Sequence, residues 1–319
     1  MMRSMSRAPR IALAAVTGLA LVVATGCGGA ASTESKATAA DTAGTVRTDP
    51  GGWIEYTIGD MPLILSAPHG GSFTPAHIPS RVCSGCITGA DEALEELTRR
   101  VATRVYLRTG RRPYVIINRL ARVKLDPNRE VVEATGGNAV TVPIWTAYHA
   151  FIDTAAARVA RTHRRGLLLD LHGTIHPYAR LEIGYNLPAS TLRLSDSLFN
   201  AAGAVAQSSI ARLATDNAGH ASGADLIWGA SSLGAIFARN GYPAVPSASR
   251  RAPALDEPYY SGGYTSERHG SANGGAVDAI QVEAWRDGVR DTSANLDRYA
   301  DAVVSTALEY LRTHYGWSP

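Results

Sequence analysis

Short apolar runs alternate with longer stretches of helical period from Trp53 to the C-terminus. Trp53 to Ile58, Leu63 to Ala67, Tyr114 to Ile117, Leu167 to Leu171, Leu181 to Tyr185, Tyr242 to Val245 and Ala279 to Val282 predict strands. Leu63 to Leu65 and Leu167 to Leu169 are continuous rather than alternating, the pattern of strands covered on both faces. Between them, Leu94, Leu97, Val101 and Val105 mark one face of a helix over 91–108. Trp145 to His163, Ser195 to Leu213, Ser232 to Arg239 and Leu296 to His314 predict further helices, with Ser293 as the N-cap of the last. Strand and helix patterns in alternation predict an α/β fold: a mixed, mainly parallel sheet flanked by helices. One domain over 51–319 accounts for the whole pattern.

The N-terminus reads differently. Arg3, Arg7 and Arg10 precede an apolar run from Ile11 to Ala24, which ends in Ala24-Thr25-Gly26-Cys27. A basic start, an apolar stretch and small residues before a cut describe an export signal over 1–26. Cys27 stands where a bacterial lipobox places the thiol that is lipidated. Residues 27–50, rich in Ala, Ser, Thr and Gly, read as a flexible tether. The expected location is therefore the outer face of the bacterial cell membrane, held by a lipid. Without the leader's three arginines, the 31 basic residues become 28, equal to the 28 acidic ones. A near-neutral chain with no basic stripe excludes nucleic acid as an expected partner. In an exported chain, Cys83-Ser84-Gly85-Cys86 reads as a short-loop disulfide between Cys83 and Cys86.

Three of the strand patterns end in chemistry. Ser66-Ala67-Pro68-His69-Gly70-Gly71 follows one, Asp170-Leu171-His172-Gly173 closes another, and Gln281-Val282-Glu283 closes a third. The carboxyl ends of parallel strands are where open α/β sheets hold their sites. His69 and His172, each between an apolar strand and glycine, are candidate metal ligands, and Gly70-Gly71 predicts a sharp turn that leaves the His69 ring projecting. Two imidazoles, a further ligand and an open position describe a catalytic zinc site. Asp91, at the start of a helix, is the candidate third ligand, although acids there also suit the helix dipole. Asp170 shares a strand face with His172 and can orient its ring. Glu283 can take a proton from an attacking water and return it to a leaving nitrogen. Arg119, Arg122, Asn128 and Arg129 lie in a donor-rich stretch past a strand, suited to a substrate carboxylate or an oxyanion. Gly263 and Tyr264 lie in a glycine loop that can close over a ligand. There is no G-x-S-x-G elbow, no H-E-x-x-H and no P-loop.

The ordered set PHGG, INRLARVKLDPNRE, LLLDLHG with LEIGYNL, SGGYT and AIQVE resembles the N-formylglutamate amidohydrolase family across most of 60–285. The resemblance implies the fold of zinc carboxypeptidase-like and aspartoacylase-like hydrolases (phosphorylase/hydrolase-like), a mixed eight-stranded sheet between helices. It implies Zn(2+) on His69, His172 and an acid, Glu283 as the catalytic glutamate, and Asn128 and Arg129 as substrate-binding residues. Arg129 is also expected to stabilise the oxyanion. In the wider carboxypeptidase group the acidic ligand lies three residues after the first histidine; Ser72 stands there, and Asp91 is taken instead. Formylglutamate breakdown is cytoplasmic chemistry, whereas this chain carries a leader. The expectation is an amidase acting on an N-acyl amino acid or short peptide with a carboxylate. The rivals are a non-catalytic carboxylate-binding lipoprotein and a zinc carboxypeptidase for cell-wall or γ-glutamyl peptides.

Overall fold

The computed structural model describes residues 41–83 and 85–319. The expected leader over 1–26 and Cys27 lie outside the described residues. Eight strands form one sheet: β1 (Val46–Thr48), β2 (Ile54–Thr57), β3 (Leu63–Ala67), β4 (Tyr114–Asn118), β5 (Gly166–Gly173), β6 (Leu181–Gly184), β7 (Ala244–Val245) and β8 (Val277–Ala284). Their order is β1-β2-β4-β3-β5-β8-β6-β7. The four central strands, β4, β3, β5 and β8, run parallel, while β2 joins β4 and β6 joins β8 antiparallel.

The continuous apolar runs follow from this position. In β3, Leu63, Leu65 and Ala67 face one core and Ile64 the other. In β5, Leu167, Leu169 and Leu171 join the first core and Leu168 the second. The helices Leu94–Thr109, Leu233–Arg239 and Ser293–Tyr315 supply the first core, and Val142–His163 the second. Burial on both faces removes the polar half of the strand pattern.

Three expectations need correction. The tether expected over 27–50 does not reach residue 50: β1 lies at 46–48 and pairs with β2. Asp49 closes the turn between them, its Oδ1 accepting the Trp53 and Ile54 amides at 2.6 and 2.7 Å. The helix expected over 195–213 is broken into Asp196–Ala201, a 3₁₀ turn at Ala204–Gln207, and Ala211–Asp216. Gly203 is left-handed at φ 60°, and the Ser208 hydroxyl donates to the Val205 carbonyl at 2.6 Å. Both offer the backbone an alternative to the helix. The last helix is capped by Thr292, whose Oγ1 accepts the Asn295 amide at 3.2 Å, rather than by Ser293.

The sheet also buries one acid away from any site. Asp278 is fully buried in β8 and accepts the Leu213 amide at 3.1 Å and the Tyr315 hydroxyl at 2.9 Å. Burial pushes its carboxyl up from 3.8 to about 6. The folded state therefore holds a proton that the unfolded chain has lost, and Asp278 costs stability as pH rises through that window. Asp278→Asn removes this cost. The stability difference, variant minus wild type, is expected to grow by about 3 kcal/mol between pH 3 and 7. Urea melts across that range check it; a difference independent of pH contradicts it.

Candidate metal centre

β3 ends before Pro68, whose carbonyl accepts the Asn118 side-chain amide at 2.8 Å. The chain then threads between β4 and the helix Leu94–Thr109. A Cβ on Gly71 would lie 2.6 Å from the Asn118 carbonyl oxygen, and one on Gly70 would lie 3.1 Å from Leu94 backbone. These glycines thus permit close backbone packing. The packing sets His69 beside the loop before the helix, and the Asp91 amide donates to the His69 carbonyl at 3.1 Å. β5 carries Asp170 and His172 on one face, and its register with β8 places His172 opposite Glu283 and Asp170 opposite Gln281.

The two imidazoles are held by their outer nitrogens. His69 Nε2 lies 2.6 Å from Asp126 Oδ1, and His172 Nε2 lies 2.7 Å from Asp170 Oδ2. Asp126 is fixed in turn by Arg122 Nε at 2.8 Å, and Asp170 by the Ser66 hydroxyl at 2.5 Å. Each Nδ1 then faces Asp91: Oδ2 lies 3.3 Å from that of His69 and 3.4 Å from that of His172. The Gly173 amide donates to the same oxygen at 3.0 Å. All three residues are buried, and their ligand atoms lie within 4.8 Å of one another.

The His69–Asp91 contact is a long hydrogen bond, and both spacings also suit a metal ion. Ligands about 2.0–2.1 Å from a tetrahedral ion lie about 3.3–3.4 Å apart, which both histidine–Asp91 spacings match. Carboxylates behind metal-binding imidazoles fix the ring and its tautomer. The donor set of two imidazoles and one carboxylate therefore fits a divalent cation.

The electrostatics agree. Burial opposes the charge of Asp91, yet His69 and His172 hold its carboxyl well below the usual range. Asp126 is likewise buried and held far below that range by His69 and Arg122. Burial opposes charge on His172, but Asp170, Asp91 and Glu283 hold it well above an ordinary imidazole. Several buried carboxylates thus converge where a cation would relieve them.

A cavity of about 90 Å³ opens on this centre, lined in part by Arg122, Asn128, Arg129, Gly262, Gln281 and Glu283. The Glu283 carboxyl lies 4.0 Å from His172 Nδ1 and accepts the Gln281 side-chain amide at 2.9 Å. Burial pushes its pKa up to about 7. Arg122 and Asn128 are buried here; Arg129 is half exposed, its Nε donating to Glu133 at 3.0 Å. Two expected residues lie elsewhere. Arg119 stacks on the Phe73 ring at 4.7 Å and donates to the Gly52 carbonyl at 3.3 Å, because it follows β4 on the far side of the His69 loop. Tyr264 opens a short helix and packs on Trp145 and His149 at 6.0 and 5.5 Å; Tyr260 and Gly262 face the cavity instead. Ser72 is exposed, in keeping with Asp91 as the acid of the set. Cys83 and Cys86 are joined by a disulfide with Cα atoms 5.6 Å apart.

Sequence reasoning gave no role to three residues. Asp126 carries the signal of an acid four residues from Arg122. Glu182, opposite Glu283 in the β6–β8 register, is an acid inside an apolar strand; it holds His176 Nδ1 at 2.9 Å and the Tyr260 amide at 2.7 Å. Arg290 sits beside Gly173, and no pattern near it marks a site.

Gly263 packs against the centre. Asn128 Oδ1 accepts the Thr265 amide at 2.8 Å, and a Cβ on Gly263 would lie against the Asn128 side chain and 2.6 Å from Gln281 Oε1. Gly263→Ala is expected to displace Asn128 and to lower substrate affinity about tenfold with little change in thermal midpoint. Binding and melting measurements check this; unchanged affinity contradicts it.

No family model matches the chain, and no curated protein matches it. Among solved structures it is similar to N-formylglutamate amidohydrolase from Ralstonia eutropha JMP134, with 15% identity, 81% of this chain and 96% of that chain covered, and a TM-score of 0.48. It is similar to a gene product from Agrobacterium tumefaciens at 12% identity, covering 82% and 94%, with a TM-score of 0.47. A third is succinylglutamate desuccinylase from Chromobacterium violaceum, at 13% identity, covering 85% and 70%, with a TM-score of 0.36. These TM-scores lie below 0.5, and the functional reading rests on the residues of the site.

Proposed function

We propose that this protein is a metal-dependent amidohydrolase that cleaves an amide bond in an N-acyl amino acid or short peptide bearing a carboxylate. The observation that carries the reading is the pair of Nδ1 atoms facing Asp91 Oδ2 at 3.3 and 3.4 Å, with Glu283 in register beside His172. His69, Asp91 and His172 would hold the ion, with zinc the natural choice for two imidazoles and a carboxylate. When bound, it supplies Lewis-acid chemistry, polarising a carbonyl and lowering the pKa of water.

The chain's own residues supply the rest. Glu283, buried and raised toward neutrality, accepts a proton from the attacking water and returns it to the leaving nitrogen. Gln281 orients that carboxyl through the 2.9 Å bond to Oε1. Arg129 and Asn128 line the cavity as donors for the developing oxyanion. Asp126 and Asp170 keep both rings turned inward.

A chelator-treated sample assayed against N-acyl amino acids and short peptides tests the reading. Turnover that disappears with the metal and returns with added zinc supports it. A metal-loaded protein that binds these acids and cleaves none would make it a carboxylate-binding protein instead. Preference for free C-terminal residues of peptides over N-acyl amino acids would make it a carboxypeptidase. The leader and Cys27 support a further part of the proposal, action at the outer face of the cell membrane on a lipid anchor.

A further inference from the structure

A larger cleft of about 550 Å³ adjoins the metal centre and shares Asp91 and Gly173 with it. Its volume falls within the range of small-molecule sites, about 300–1,000 Å³. His176, Tyr178, Trp285, Arg286 and Arg290 are among its lining residues. Arg290 stands out among these residues. It is buried, at 7% exposure, and its guanidinium lies against Gly173, the neighbour of His172. A Cβ on Gly173 would stand 2.5 Å from Nη2. Nε donates to the Ala284 carbonyl at 3.1 Å, and Nη1 to the Glu92 carbonyl at 2.5 Å. Nη2 has no hydrogen-bond partner, and no carboxylate lies within 4.0 Å of the group, among the described residues.

The other arginines near the centre are engaged. Arg122 is bonded to Asp126, Arg129 to Glu133, and Arg286 to Glu92 and Asp287. Asp91, Glu283 and Glu92 favour its charge from a distance, but a buried guanidinium with no direct ion pair still gains from an anion that completes it. Two backbone carbonyls fix its plane, which leaves the free edge as a shaped donor for a carboxylate.

We propose that Arg290 anchors a substrate carboxylate in the wide cleft and so selects acidic substrates for the adjoining centre. This rests on the amidohydrolase reading, and the test separates the two. Calorimetric titration of zinc-loaded protein with glutarate measures the anchor without turnover. Arg290→Gln is expected to weaken glutarate by about 10- to 100-fold while glutaramide binding and metal content stay unchanged. Arg290→Lys, which keeps the charge and loses the fork, should fall between. Arg286→Gln serves as the control for charge alone. The second arm compares turnover of paired N-acyl substrates that carry a carboxylate or its carboxamide. Wild type should favour the acid, and Arg290→Gln should lose that preference through KM.

Unchanged glutarate affinity in Arg290→Gln, or equal weakening by Arg286→Gln, overturns the anchor. If Arg290→Gln fails to fold, Arg290→Lys decides: an unchanged acid-over-amide preference overturns the proposal. Arg290-dependent glutarate binding without turnover of any substrate keeps the anchor and removes the amidohydrolase reading. Turnover with an acid preference that survives in Arg290→Gln does the reverse.

Discussion

Glu283→Gln is expected to leave the metal centre assembled and to cut turnover by about 10²- to 10⁴-fold, the usual contribution of a positioned general acid–base. The substitution preserves shape. Gln281 Nε2 can still donate to the retained oxygen, as it does to Oε1 at 2.9 Å. What disappears is the group that accepts and returns the proton. The carboxyl is not one of the three proposed ligands, so metal content and thermal midpoint should hold. Burial pushes its pKa up to about 7 in the bare site. A nearby cation favours the charged form, so the acid limb of kcat/KM lies at or below that value, and rate falls as pH drops through it. In Glu283→Gln that limb should vanish from the residual activity. Steady-state kinetics with metal analysis check both parts; wild-type turnover in the variant contradicts the assignment.

His69→Ala and His172→Ala are expected to remove the metal from the purified protein and all measurable turnover with it. Either change takes away one of the two proposed nitrogen ligands. It also leaves a buried carboxylate, Asp126 or Asp170, without its ring partner at 2.6 or 2.7 Å. Taking a hydrogen-bond partner from a buried charged group costs about 1–3 kcal/mol. Both variants should therefore melt lower than Glu283→Gln, which loses only a 4.0 Å contact with His172. Retained activity with an empty centre contradicts the role of the cluster.

Much of this centre was legible in the sequence, for reasons particular to it. His69 and His172 share one setting, an apolar run before and a glycine after, and Asp170 shares the face of His172 by simple strand alternation. Asp91 could be picked only as the opening acid of a helix; the loop that packs it on His69 is a tertiary event, bridging 22 residues. Asp126 lies 57 residues from the ring it fixes. Nothing local distinguishes Arg119 from Arg122, yet one stacks on Phe73 and the other enters the site. The strands read well because burial on both faces makes them continuous. Their pairing did not: β2 and β3 are consecutive, but β4 runs between them. The break at Gly203 and the extension by β1 depend on local hydrogen bonds that apolar period does not record.

The most direct measurement is the metal content of the purified wild-type protein beside that of His172→Ala. The arrangement of His69, Asp91 and His172 predicts one equivalent of a divalent cation, with zinc preferred, in wild type and none in the variant. Wild type that takes up no metal, or a variant that retains a full equivalent, contradicts the proposed centre.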